Sequence, residues 1–346
     1  MFDTNISKEA AAPSLKDQCS RAKIMLLLLF LFTFYFSLSD ARILGAYILP
    51  HGGIALNPSR FESPSKWAKQ WAWSLHRSAV EVGNHIRELK PDLIFLSTPH
   101  GVADMNRFVF YLNSLGNGSA HTDNCECPPC CYDVEVKMDA QISQAMIANL
   151  SSQGCNVSGL SFFGPVATAA EPNILRWGEV IPLLFIKDVG KAKVVVMSQP
   201  SKRYQKPSNM IEELLDLGRK TYSFLEELPQ KVAVVISADL AHTHEASGPY
   251  GFSKDAEPFD LSVGNWASTL HPDYLLQQAA HYYDGALSCG FTGLVMCHGL
   301  MSEGKLSTWV PVMHANYHPS YYGMMVASFS RQQQSPKPTL LDTYRP

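Results

Sequence analysis

Two histidines occupy matching positions in this chain. Pro50-His51-Gly52-Gly53 follows an apolar run over 43–49, and Thr98-Pro99-His100-Gly101 follows another over 93–97. Imidazole is the commonest metal ligand, and two held on rigid supports make half of a metal site. A third source of imidazole, Ser237-Ala238-Asp239-Leu240-Ala241-His242-Thr243-His244, ends the apolar run over 232–237. His242 is a candidate ligand or general acid–base, because imidazole exchanges protons near neutral pH, and His244 could take its place. Two imidazoles need a third donor. A carboxylate would complete the 2-His-1-carboxylate face of non-haem iron(II) oxygenases. Glu171, Asp239, Glu245 and Asp284 are the candidates, and spacing singles out none of them. Cys289, in Ser288-Cys289-Gly290, is a softer donor that would favour copper or zinc. His298 and His314 are also available.

These residues need elements to hold them. The runs before His51 and His100 are apolar, partly β-branched or aromatic, and stopped by proline and glycine, which is the pattern of buried strands. Ligands of open α/β sheets bind at the carboxyl ends of strands. Between the two runs, Ser63-Pro64 opens a helix as N-cap and first residue. Trp67, Trp71, Leu75, Ala79, Val82, Ile86 and Leu89 then repeat at three and four, and Lys90-Pro91 ends the helix. A strand-helix-strand unit in a parallel sheet puts both strand ends on one edge, so His51 and His100 share a site. His76 and His85 lie within the helix as solvated or packed residues. Further helices are expected over 139–153, 207–228, 272–288 and 293–301. Strands are expected over 160–163, 181–186, 192–197, 232–237, 309–313 and 322–329. Residues 164–177 read as irregular and 245–265 as a long loop. No repeat or linker divides the chain. The expected fold is one three-layer α/β domain over 42–331, its central sheet mostly parallel or mixed and flanked by helices, followed by a disordered polar tail over 332–346.

The chain has 346 residues, 46% of them apolar and 17% charged, which suits a folded protein with a sizeable core. Its net charge of −3 and scattered basic residues give no footprint for nucleic acid. No Walker loop, GxGxxG or GxSxG is present. An apolar run over 24–36, preceded by Arg21 and Lys23 and followed by Ser39-Asp40-Ala41, reads as a secretory signal over 1–41. The run is shorter than the roughly 20 residues of a membrane span. Left uncleaved, it would tether the protein to the membrane. The expected location is therefore the secretory pathway, lumenal or extracellular, with membrane anchoring as the alternative. Asn117, Asn149 and Asn156 head glycosylation sequons. Cys125, Cys127, Cys130 and Cys131, with Cys155 further on, read as disulfide cysteines, the first four in a Cys-rich insertion at about 113–132. A zinc reading of the Cys127–Cys130 CxxC has only His121 to draw on.

At these residues the chain resembles a known superfamily. The strand-Pro-His-Gly opening, Pro-Asp-Leu-Ile-Phe-Leu-Ser-Thr-Pro-His-Gly over 91–101 and Val-Val-Ile-Ser-Ala-Asp-Leu-Ala-His over 234–242 resemble the class III extradiol dioxygenases, the LigB type. Their order and spacing are also similar to the Memo proteins, a branch of that superfamily with an α/β fold. The resemblance covers about 42–330. It implies iron(II) held by two histidines and a glutamate, with His51 and His100 at the histidine positions and His242 as acid–base on a bound catechol. It also implies a small aromatic substrate and O2 as partners, and is compatible with a homo-oligomer. The stretch expected to supply the glutamate, 286–296, contains no acid. Its Cys289-Gly290 is similar to the Memo pattern, in which a cysteine occupies the third position. Two functions follow from the resemblance: O2-dependent ring cleavage of a catechol or related phenol, or copper or zinc binding without ring cleavage.

Overall fold

A computed structural model of the chain describes residues 41–331, apart from 124, 126–127, 162–170, 187–191 and 206. Residues 1–40 of the expected leader, the tail and Cys127 lie outside the described residues. Among the described residues no helix is long and apolar enough to cross a membrane.

The centre of the fold is an eight-stranded mixed sheet in the order β10-β11-β1-β9-β2-β8-β3-β6. Its middle is parallel: β1 (Ile43–Leu49), β9 (Val232–Ser237), β2 (Leu93–Thr98) and β8 (Lys193–Ser198). These strands are almost continuously apolar because helices cover both faces of a parallel sheet. Side chains alternate between the faces. Ile48 and Phe95 enter one core with α2 (Ala140–Ser152), α4 (Ile211–Glu227), α5 (Ala256–Thr269) and α7 (Phe291–Glu303). Leu49 and Leu96 enter the other with α1 (Lys66–Leu89) and α3 (Trp177–Ile186). The outer strands β3 (Phe108–Tyr111) and β6 (Val157–Leu160) close one edge, and β10 (Trp309–Tyr317) and β11 (Met324–Arg331) the other. A three-stranded sheet, β5-β4-β7, stands apart, formed by β4 (Leu115–Ala120), β5 (Tyr132–Lys137) and β7 (Asn173–Leu175). The three-layer α/β architecture is the one expected.

The Cys-rich insertion joins β4 to β5, with Cys125 bonded to Cys130. That removes Cys130 from any CxxC metal set. Cys131 is also disulfide-bonded. Cys155 is not: it is a free thiol at the end of α2, half-buried against the core and beside Lys220. It packs at the end of α2 against the core rather than in the insertion, so no cysteine partner meets it among the described residues.

Other elements depart from expectation for definable reasons. Residues 181–186 are helical, within α3, and carry Pro182. A short apolar run suits a strand or a buried helix equally, but proline cannot donate to the ladder of a central strand. The expected loop over 245–265 contains α5, which buries Phe259, Val263 and Trp266 at helical spacing. The N-cap of α1 is Ser65, accepting from the Ala68 amide, rather than Ser63. Residues 274–279 form a π-helical turn before α6 (Ala280–Ala286).

Helices α4 and α7 cross at glycines. A Cβ on Gly218 would fall on the Met296 carbonyl, and one on Gly299 on the Leu215 backbone. Interhelical approach this close leaves no room for a methyl group, so Gly218→Ala is expected to destabilise the protein by about 1–3 kcal/mol. Urea unfolding of the variant beside the wild type measures this, and an unchanged midpoint would contradict the packing.

Candidate metal centre

β1, β9 and β2 end on one edge, and each delivers a functional group there. β1 leads through Pro50 to His51, β2 through Pro99 to His100, and β9 ends in Ser237 and then Asp239. Although β9 lies between the two histidine strands, the imidazoles meet beyond its end with ring centroids 4.8 Å apart, edge to face. Cys289 arrives from the turn between α6 and α7. Its turn is pinned to Asp239, whose carbonyl accepts from the Gly290 amide at 3.0 Å and the Ser288 hydroxyl at 3.0 Å. A Cβ on Gly290 would lie 2.6 Å from that carbonyl, so this approach requires glycine. Sγ of Cys289 then lies 3.2 Å from Nε2 of His51. One donor atom each from His51, His100 and Cys289 fall within 4.8 Å of one another.

The protonation of His51 follows from its neighbours. In α3, Pro182 has no amide hydrogen to give the carbonyl four residues back, so Gly178 keeps a free acceptor. The Ser237 hydroxyl donates to it at 2.5 Å. Having given its one hydrogen, Ser237 Oγ accepts from Nδ1–H of His51 at 2.9 Å. Nε2 of His51 therefore carries the lone pair, and it is Nε2 that faces Cys289. Orientation of a histidine by a hydrogen bond at its other nitrogen is characteristic of metal ligands.

Burial keeps the cluster neutral. Desolvation lowers His51 well below the usual histidine range, aided by His100, and lowers His100 to about 3. Desolvation also raises the Cys289 thiol, and the neighbouring Asp239 adds to it. Asp239 itself is buried and raised to about 8 by desolvation. It accepts the His51 amide at 3.0 Å through Oδ1, while Oδ2 lies 3.3 Å from His51 Nε2. Among the described residues, no group hydrogen-bonds either ring nitrogen of His100. Two neutral imidazoles beside a thiol and a carboxyl are a donor set that suits a transition metal.

His51, with Cys289 buried behind it, lines a cleft of about 590 Å³ together with His100 and Asp239. His242 stands in its wall, where its Nδ1–H donates to the Leu240 carbonyl at 2.8 Å and leaves Nε2 as an acceptor. Desolvation lowers it to about 4, so it is a neutral base at physiological pH. Its ring lies nearly parallel to Tyr322, centroids 5.9 Å apart. Trp177, 5.0 Å from the His100 ring, faces the cleft together with Tyr250 and Tyr321.

Not every expected residue is here. His244 does not line the cleft: its Nε2 bonds Asp260 on α5 at 2.8 Å, which holds the ring outside. Of the carboxylates weighed from sequence, Asp239 lies at the site and Glu171, Glu245 and Asp284 do not line the cleft. His298 is buried against Trp266 Nε1 at 3.1 Å, and His314 bonds Ser328 on β11. His121 lines the cleft mouth rather than a cysteine cluster. The tyrosine and tryptophan wall was missed by sequence reasoning, since an aromatic residue near a strand end reads as core.

A family model for the catalytic LigB subunit of aromatic ring-opening dioxygenases matches residues 45–327, and the chain belongs to that family. Protein CA_C1420 of Clostridium acetobutylicum is 20% identical over 289 residues, 83% of this chain, and the match spans 58% of that protein's length. Among solved structures, an uncharacterized protein of Escherichia coli K12, JW3007, aligns with a TM-score of 0.49 and 13% identity, over 82% of this chain and 99% of that one.

The relay from Pro182 to His51 is open to test. Ser237→Ala removes the acceptor of Nδ1–H, and metal affinity is expected to fall about 10- to 100-fold. Metal titration of the variant reads this, and wild-type affinity would show that the serine does not orient the ligand.

Proposed function

We propose that the cleft is the active site of a metal-dependent oxidoreductase that opens the ring of a catechol or related phenol with O2, using iron(II) held by His51, His100 and Cys289. The observation that carries this reading is the convergence of those three donors, two of which line a cleft that also holds the neutral acceptor His242 and is walled by aromatic rings. Bound iron would acidify the catechol hydroxyls and pass electrons from the bound catechol, which is the species oxidised, to O2. The chain's own residues do the rest. Trp177 and Tyr322 offer flat faces against which an aromatic ring can lie. Nε2 of His242 accepts a hydroxyl proton, since Leu240 occupies its other nitrogen. Tyr322 is itself fixed, donating its hydroxyl to Asp123 at 3.0 Å. Arg176, its guanidinium 4.5 Å over the Trp177 ring at the mouth, favours a substrate with an anionic substituent.

The donor set also supports a second reading, a copper or zinc protein without ring cleavage. Here Cys289 stands in the place of a carboxylate, and a soft thiolate selects for those metals. Asp239, 3.3 Å from His51, is the carboxyl that keeps the first reading chemically open.

We also propose that the protein enters the secretory route, free or held at the membrane by an uncleaved leader. The Cys125–Cys130 disulfide supports this, since such bonds persist in oxidising compartments. The sequon residues Asn117 and Asn156 are exposed and Asn149 is half-buried, which keeps all three at the surface.

Protein expressed through a secretory pathway and supplied with iron is expected to hold about one iron per chain, lost in His51→Ala, and to consume O2 when given catechols. His242→Asn should keep its iron while turnover falls about 10²- to 10⁴-fold. Iron-loaded protein with no O2 uptake on any catechol would refute ring cleavage. Copper or zinc in place of iron, lost in Cys289→Ser, would establish the second reading.

A further inference from the structure

We propose that His244, His318 and Glu257 form a second divalent-metal site, of the zinc class, outside the cleft. One donor atom from each lies within 4.8 Å of the others. Oε2 of Glu257 is 3.2 Å from Nε2 of His318 and 4.0 Å from Nδ1 of His244. Two imidazoles and a glutamate with an open position are a donor set that zinc accepts.

What distinguishes this cluster from a surface ion pair is Asp260. Its carboxylate is buried, holds the Ala241 amide at 2.9 Å, and takes Nε2–H of His244 at 2.8 Å. That bond fixes His244 with its lone pair on Nδ1, the nitrogen facing Glu257. A carboxylate behind a histidine in this manner sets the tautomer and raises the basicity of a metal ligand. Glu257 lies at the start of α5 with its side chain 73% exposed, so water can complete the coordination sphere.

The two rings are stacked in parallel, centroids 3.9 Å apart and 2° between planes. Ring lone pairs lie in the ring planes, so sharing one ion requires one ring to turn. His318 is placed to do so: it follows β10 at a surface turn, with a third of its side chain exposed.

Such an ion would join two segments that line the cleft to the first turn of α5. His244 follows His242, and its amide bonds the Tyr321 carbonyl at 3.0 Å. His318 opens the turn that carries Tyr321 and Tyr322. Glu257 heads the helix beneath both. The metal would therefore act as a brace on the acid–base histidine and the tyrosine wall, touching no reactant.

The test is equilibrium dialysis of the full chain against zinc alone, near neutral pH, for the wild type, His318→Ala and Glu257→Gln. Both substituted side chains reach solvent, so the fold should survive. Each variant is expected to hold one zinc fewer per chain than the wild type and to lose part of the rise in Tm that zinc produces. Cys289→Ser, by contrast, should retain this equivalent. The reading is a difference of one zinc, so it is independent of what the cleft binds. Equal zinc on the wild type and both variants would overturn the proposal and leave the stack as an ionic contact.

Discussion

β9 lies hydrogen-bonded between the strands that carry His51 and His100, and the functional site depends on that wedge. Two strands paired to a common neighbour stand about 9–10 Å apart, too far for their backbones to share a small site. The histidines bridge the gap because both strands end on the same edge and both rings lean over the end of β9. β9 stops at Ser237, so the space above its end is filled by its own sequel: the Ser237 hydroxyl beneath one ring and Asp239 beside it. The same strand end holds the Cys289 turn by its Asp239 carbonyl. Parallel pairing thus sets not only where the donors are but which of them can meet.

A second layer of control comes from a missing hydrogen. Pro182 interrupts the ladder of α3, and the orphaned Gly178 carbonyl is satisfied by Ser237 instead of by the helix. Buried carbonyls find partners, so this defect commits the serine's hydrogen and, through it, the protonated nitrogen of His51. The irregularity in α3 thus falls where the freed acceptor reaches the end of β9.

Much of this was legible in advance. The strand-Pro-His-Gly repeats located both histidines, because strand ends and proline stops are local signals. The strand preceding His242 was equally plain. What sequence could not show was the insertion of β9 between β1 and β2, a long-range pairing in which every strand reads alike. It also mistook 181–186 for a strand, since a buried helix and a buried strand share one composition and Pro182 was the sole discriminator. His242 and His244 looked interchangeable as acid–base candidates. Asp260, sixteen residues beyond His244 and within a stretch that read as loop, decides between them. Cys155 looked like the other cysteines until its position after α2 was known.

The remaining question is the third donor, and desolvation frames it. Burial penalises charge, so the cluster gathers groups in their uncharged forms: low-pKa imidazoles, a raised thiol and a carboxyl raised to about 8. A divalent cation reverses that preference, because beside it a thiolate or carboxylate is the stabilised form. Cys289 and Asp239 are then competitors for one role. The thiol faces His51 Nε2 at 3.2 Å and belongs to the group of donors that share a centre with His100. The carboxyl stands at 3.3 Å from the same nitrogen, but one of its oxygens is tied to the His51 amide. Under the proposed function sulfur would take the donor position and Asp239 the supporting one, its charge neutralising the ion from behind. On that division, the proposed pocket would hold its cation through a soft donor while a hard one, Asp239, stays within reach of the same imidazole.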